Sequence, residues 1–302
     1  MALSLRGVLG LVRFSHTIFA LPFAMVASML AIAESLSDSR SNLVHWLLPI
    51  CGVLICMASA RTAAMAFNRL GDRAFDSANP RTAGRHLPAG IMSVGEVRLV
   101  GCLASAAFIA ATLLFLPNWL PLALAVPVLA WLLGYSFAKR FTMLAHLWLG
   151  VALGSAPMAA WIAIRGEAVL EDPRDILPAV VLAAAVTSWV TGFDIIYACQ
   201  DADFDRMMSL QSVPSALGVA RALGIASGLH FVTLVMLAVL PSFVPALGLT
   251  YWLSLGLIAA LLIWQHAIVR PEDLSRVNEA FFRANAAIGV ILFASVATDL
   301  AV

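Results

Sequence analysis

Charge is scarce in this sequence. Only 12% of its 302 residues are Asp, Glu, Lys or Arg, and Lys139 is the single lysine. A soluble domain carries about 25% charged and about 45–50% apolar residues. Here 62% are apolar, more than a soluble core needs, which points to a bilayer. The formal net charge of +1 leaves no basic stripe and excludes a nucleic-acid partner. Cysteine is also sparse: Cys51, Cys56, Cys102 and Cys199 form no Cys-x-x-Cys pair. Set in apolar runs, they are expected as buried small hydrophobes rather than metal ligands or disulfide partners.

What the sequence does have is length of apolar run. Nine runs can each cross a hydrocarbon core of about 30 Å as a helix: 14–34, 45–68, 94–116, 119–138, 143–165, 175–200, 215–240, 245–268 and 279–300. Pro117, Pro173, Pro214, Pro241, Pro245 and Pro271 punctuate the joins. Ala31-Ile32-Ala33 looks like a signal-peptidase site, but the run is long and holds Ser15-His16-Thr17 near its start. A retained helix is expected. The expected fold is therefore all-α, a multi-pass membrane bundle of about nine transmembrane helices, with 1–302 forming a single domain and no soluble domain appended. Arg6, Arg13, Arg69, Arg73, Arg81, Arg85, Arg98, Lys139, Arg140, Arg206, Arg221, Arg270, Arg276 and Arg283 fall on one set of joins; Arg40, Arg165 and Arg174 fall on the other. The positive-inside rule then puts the N-terminus and the two longest polar joins, near 69–93 and 201–212, on the cytoplasmic side.

Both of those joins begin with stacked acids. Asn68, Asp72 and Asp76 recur every fourth residue, as do Tyr197, Asp201 and Asp205, with Asp194 one turn before Tyr197. This spacing puts each set on one helical face, and Arg61 shares the face of the first. Asp203 points away. The matching spacing hints at an internal repeat. Stacked carboxylates at the end of an apolar helix repel one another and are costly near lipid. Mg²⁺ is one neutraliser, since it takes one or two protein carboxylates and fills its other positions with water and substrate phosphate oxygens. The other possibility is a solvated helix end whose acids pair with Arg69, Arg73 and Arg206.

Cations suited to phosphate lie nearby in the sequence. Arg81 and Arg85 occupy the stretch Asn79–Gly90, and Lys139 and Arg140 follow Tyr135 at the end of the fourth run. Each also fits the ordinary positive-inside bias. Arg61 is different, because a charge within a span is a functional candidate by default. His16 and Arg13 sit together at the cytoplasmic end of the first run, placed to meet an acceptor carboxylate. His146, His230 and His266 are isolated and are expected as satisfied core or interface residues.

Asn68-x3-Asp72-x3-Asp76 and Asp194-x2-Tyr197-x3-Asp201-x3-Asp205 resemble the paired aspartate motifs of the UbiA family of intramembrane prenyltransferases. Arg61, the Asn79–Gly90 stretch, Tyr135-Ser-Phe-Ala-Lys139-Arg140-Phe-Thr and Arg13-Phe-Ser-His-Thr-Ile-Phe-Ala-Leu-Pro22-Phe extend the likeness across nearly the whole chain. They are similar to the 4-hydroxybenzoate polyprenyltransferase branch, and especially to its members associated with menaquinone made by the futalosine route. The resemblance implies nine helices around a central cavity, capped by aspartates on the cytoplasmic side of the cell inner membrane. It implies an allylic polyprenyl diphosphate donor, an aromatic acid acceptor and Mg²⁺, with membrane lipid as the surroundings and no protein partner inferred. It assigns Asp72, Asp76, Asp201 and Asp205 to the metal, and Asn68, Arg81, Arg85, Lys139 and Arg140 to diphosphate or acceptor. Asp194, Tyr197 and Arg61 are assigned to the chemical step. Other acceptors used by relatives are naphthoate, haem, chlorophyllide and phosphosugar. Two other classes are less favoured. A secondary transporter places its acids near the midplane of broken helices, and a CDP-alcohol phosphotransferase keeps them in one run.

Overall fold

A computed structural model describes residues 5–12, 20–38 and 43–301. Arg13, His16 and Arg40 lie outside the described residues. A short helix, Leu5–Leu11, precedes nine longer ones: α1 Leu21–Asp38, α2 Leu47–Ala78, α3 Val94–Ala111, α4 Leu120–Gly134, α5 Ala145–Glu171, α6 Leu177–Ala198, α7 Val219–Val239, α8 Leu249–Ile268 and α9 Asn285–Ala301. Among the described residues, eight helices are long and apolar enough to cross a bilayer, and Leu21–Leu36 is a shorter apolar ninth. Against the nine expected spans, eight helices meet the length among the described residues, and residues 14–19 of the first run lie outside the described part.

Apolar side chains cover the outside of this bundle as well as its core. Leu47, Val126, Leu249, Leu253 and Ile263 are all more than half exposed, a surface suited to hydrocarbon rather than water. This is an integral membrane protein. Two of the cysteines follow the same logic: Cys51 and Cys102 are exposed on that surface, Cys56 is half-buried and only Cys199 is buried. The expectation of four buried thiols is corrected, since a small apolar side chain is as stable against lipid as in the core. All four are free. Helix α6 is the central column. In the segment Pro173–Met207, 67% of the apolar window is buried, against 17% for Leu120–Arg140 at the periphery.

Helices α5 and α6 approach closely. Gly150 and Gly154 lie one turn apart on α5, and a Cβ on either would sit 2.1 Å from a threonine Oγ1 of α6, Thr191 and Thr187 respectively. Small residues at this spacing let two membrane helices touch along their backbones. His146 precedes Gly150 by one turn and Asp194 follows Thr191 by three residues, so the same contact brings these two polar side chains together.

At the far end of the bundle, Arg165 of α5 holds Asp175 with Nε and Nη2 contacts of 2.9 and 2.6 Å. Trp161 Nε1 donates to the same carboxylate at 2.8 Å. The pair is nearly buried, and Arg165 itself departs from helical geometry at φ −116°, ψ 25°. Removing one member of a buried pair strands the other charge. Asp175→Ala is expected to cost roughly 3 kcal/mol, measured as a lowered midpoint in thermal denaturation of the detergent-solubilised protein; an unchanged midpoint would show the pair to be dispensable.

Candidate active site

Helix α2 has 32 residues and is about 48 Å long, so it overruns the hydrocarbon core and carries its last acids to the bundle end. Pro80 stops it. A residue before proline is pushed out of the helical region, and Asn79 is extended at φ −93°, ψ 118°. The chain then turns back across the mouth of a cavity of about 650 Å³. The second acid segment enters from α6, which tightens into a 3-10 turn at Cys199–Asp201 and continues as a short helix, Ala202–Met207.

All twelve residues assigned from the sequence line this one cavity: Arg61, Asn68, Asp72, Asp76, Arg81, Arg85, Lys139, Arg140, Asp194, Tyr197, Asp201 and Asp205. The acids do not pair as a solvated helix end would. Asp76, Asp201 and Asp205 are 5%, 9% and 2% exposed; the partners of Asp201 and Asp205 come from distant segments, and that of Asp76 from the loop that follows its own helix. Arg81 meets Asp201, with Nε donating at 2.8 Å and a second guanidinium nitrogen closing a fork. Asn79 Nδ2 donates to the same carboxylate at 3.1 Å. Arg85 lies 2.6 Å from Asp76, and Lys139 Nζ lies 3.4 Å from Asp205. Arg140 is 3.6 Å from Asp72 and donates to the Gly71 carbonyl at 2.7 Å. Asn68 donates to Asp72 at 2.7 Å. Of the neighbouring arginines considered as partners, Arg69 reaches Asp76 only at 3.9 Å, and Arg206 pairs with the exposed Asp203 instead.

Electrostatics and stacking shape the mouth further. Burial works against the charged guanidinium of Arg81, but its bonds to Asp201 and Tyr197 overcome this and hold its pKa above the ordinary arginine value. Arg81 donates to the Tyr197 hydroxyl at 2.8 Å, and Tyr197 packs on Phe281 at 4.6 Å between ring centroids. Phe281 lies in a π-helical turn, Ala280–Ala284, at the start of α9, a local irregularity frequent at functional sites. Below the charged mouth the cavity becomes apolar, walled by side chains such as Val53, Phe108, Leu124, Val128, Leu149 and Ile162.

Sequence reasoning missed three things. His146 was read as isolated, yet its Nδ1 lies 2.6 Å from Asp194 Oδ2. An ionisable residue within a span is a functional candidate by default, and that rule, applied to Arg61, was available for His146. His230 and His266 are not isolated either: they face each other at 2.8 Å, since residues 36 apart in sequence meet where α7 packs on α8. Asn79, the third omission, had no signal beyond its place before Pro80.

Could these residues hold a divalent cation? Among the described residues no three acids converge as a ready-made metal cluster. The donor set is nonetheless all oxygen, as Mg²⁺ requires, and Asp76 Oδ2 is buried without a hydrogen-bond partner. The residues fit a cation that arrives together with a phosphate group, supplying the ligands the protein lacks.

The model of the UbiA prenyltransferase family matches residues 20–287. A protein of Xanthomonas campestris pv. campestris (strain B100) named 4-hydroxybenzoate octaprenyltransferase is 30% identical over 80% of this chain and 76% of its own. A protein of the same name from Chromohalobacter salexigens is 31% identical over 80% and 76%. Among solved structures, an apo UbiA homolog from Aeropyrum pernix K1 superposes with a TM-score of 0.81 at 34% identity, covering 94% of this chain and 98% of that one. A UbiA homolog from Archaeoglobus fulgidus shares the fold at TM-score 0.70 and 20% identity, over 98% and 99% of the two chains. From sequence and fold together, the chain belongs to the UbiA prenyltransferase family and is an enzyme of that family.

Proposed function

We propose that the enzyme transfers a polyprenyl group from an allylic polyprenyl diphosphate to the ring of 4-hydroxybenzoate, or a related aromatic acid, in quinone biosynthesis. The observation that carries this reading is a charged mouth over an apolar cavity, with acids and cations held in pairs that a diphosphate can take apart. Such pairs add little to stability, because the cost of burying both charges offsets their attraction. Arg81, Arg85, Lys139 and Arg140 then turn to phosphate oxygens, while Asp72, Asp76, Asp201 and Asp205 hold Mg²⁺. The metal, when bound, supplies Lewis-acid neutralisation of the leaving diphosphate. The Archaeoglobus fulgidus structure, which contains DMAPP and Mg²⁺, supports the donor class, and the name of the curated relatives supports the acceptor.

Each residue then has a task. Asn68 orients Asp72. Arg61 offers a fixed positive charge to a carboxylate on the acceptor, and Tyr197 steadies Arg81 at the mouth. The apolar walls exclude water from the allylic cation as it forms, so that ring carbon rather than solvent captures it. Asp194 faces the acceptor hydroxyl. The bias of arginine among the joins supports a cytoplasmic N-terminus and a site open to the cytoplasm, as in an enzyme of the cell inner membrane.

The test is transfer of labelled geranyl or longer polyprenyl diphosphate to 4-hydroxybenzoate in isolated membranes, with and without EDTA. A lipid-soluble product that EDTA abolishes is expected. Product only with naphthoate, haem, chlorophyllide or a phosphosugar would move the enzyme to another acceptor; transfer unaffected by EDTA would remove the metal from the proposal.

A further inference from the structure

Four of the cavity acids meet an arginine or a lysine; Asp194 meets a histidine. Its Oδ2 lies 2.6 Å from His146 Nδ1, and the two differ sharply in exposure: His146 is 1% exposed, Asp194 23%. Asp194 lines the cavity, while His146 stands behind it on α5. Seven residues separate Asp194 from Asp201, so the pair lies about 10 Å deeper along α6 than the charged mouth. Arg61 and Tyr135 line the cavity with it, and Tyr135 is within electrostatic reach of Arg61, Asp72 and Asp194.

The histidine is held at a cost. Its Nε2 is buried with no hydrogen-bond partner, which an apolar side chain of similar size would avoid. The Gly150 and Gly154 contact brings α5 and α6 together whatever residue occupies position 146. What histidine adds is one N–H aimed at one carboxylate oxygen, leaving the other oxygen for the cavity. Arginine in its place would lock the carboxylate as an ion pair, because guanidinium does not give up its charge.

Resting on the proposed reaction, we propose that His146 is a positioning residue for acceptor activation: Nδ1–H fixes Asp194 so that its free oxygen takes the proton of a phenolic acceptor. The balance is as follows. The allylic C–O bond breaks and its electron pair leaves with diphosphate. The ring carbon ortho to the hydroxyl forms the new C–C bond as the phenolic proton passes to Asp194. Loss of the ring C–H proton, carried off with diphosphate, restores aromaticity, and Asp194 returns its proton to the ring oxygen. The proposal requires an acceptor with a ring hydroxyl.

The experiment uses the full-length protein in lipid vesicles, a polyprenyl diphosphate donor, and two acceptors, 4-hydroxybenzoate and its more acidic 3-fluoro derivative. His146→Phe keeps the ring volume and removes the donor. Its kcat with 4-hydroxybenzoate is expected to fall roughly 10²-fold, with donor KM unchanged and a disproportionate recovery with the fluorinated acceptor, whose proton needs less help. His146→Asn keeps an N–H near the Nδ1 position and is expected to regain most of the rate. An unaltered kcat in His146→Phe overturns the proposal, as does a loss indifferent to acceptor acidity and accompanied by raised donor KM. A folded Asn variant without recovery overturns it even if the Phe variant does not fold. Wild-type transfer to no phenolic acceptor would refute the underlying reaction and this proposal with it, a result seen before any variant is made.

Discussion

Asp201→Asn is expected to assemble in the membrane yet lose prenyl transfer by roughly 10²–10³-fold, the scale seen when one preorganised electrostatic group is removed from an active site. Asp201 accepts from Arg81 and from Asn79, so it joins the loop after α2 to the end of α6 across the cavity mouth. Asparagine keeps the shape and one acceptor oxygen. It loses the charge that the proposed Mg²⁺ requires, and leaves a partly buried guanidinium without its counter-ion. The control is two residues away. Asp203 is exposed and pairs only with Arg206 on the outside, and Asp203→Asn should remain near wild-type rates. Initial rates in membranes with equal amounts of folded protein decide the matter. Equal rates for the two variants would remove Asp201 from the machinery.

Gly150→Val is expected to unfold the bundle or force α5 off α6. The added Cβ would stand 2.1 Å from Thr191 Oγ1 and 2.6 Å from the Thr187 carbonyl oxygen. A side-chain tip can rotate away; a helix backbone cannot. Overpacking ordinarily costs about 1–3 kcal/mol, and a clash with backbone in the most buried helix belongs at or above the top of that range. Any rearrangement that relieved it would also part His146 from Asp194, so activity should fall with stability. Gly224→Ala and Gly256→Ala are the controls: both positions lie in helices, and a Cβ at either meets nothing within 4 Å. They should be neutral or slightly stabilising. Thermal denaturation in detergent separates the two classes. A Gly150 variant as stable as the controls would mean that the α5–α6 contact is not close.

The two acid segments were legible in the sequence because a helix repeats every 3.6 residues, and carboxylates four apart in an apolar run have no cheap explanation. The same arithmetic put Asp203 on the outside, where it lies. Cysteine placement was not legible: an apolar thiol suits both core and lipid, and only the helix rotation separates Cys199 from Cys51 and Cys102. His146 is a buried, hydrogen-bonded core histidine, as expected, but it is not isolated. Its partner is 48 residues away, and no spacing rule reaches across two helices.

Composition and periodicity thus determined the bilayer setting, the helices and the faces on which Asn68, Asp72, Asp76, Asp194, Asp201 and Asp205 stand. Those properties are local, set by hydropathy and by the turn angle of one helix. Tertiary structure alone decided which charges meet: Arg81 with Asp201, Arg85 with Asp76, Lys139 with Asp205 and His146 with Asp194. Pairing depends on where the chain turns after Asn79 and how closely Gly150 lets α5 approach α6, and these are properties of packed elements rather than of any one of them.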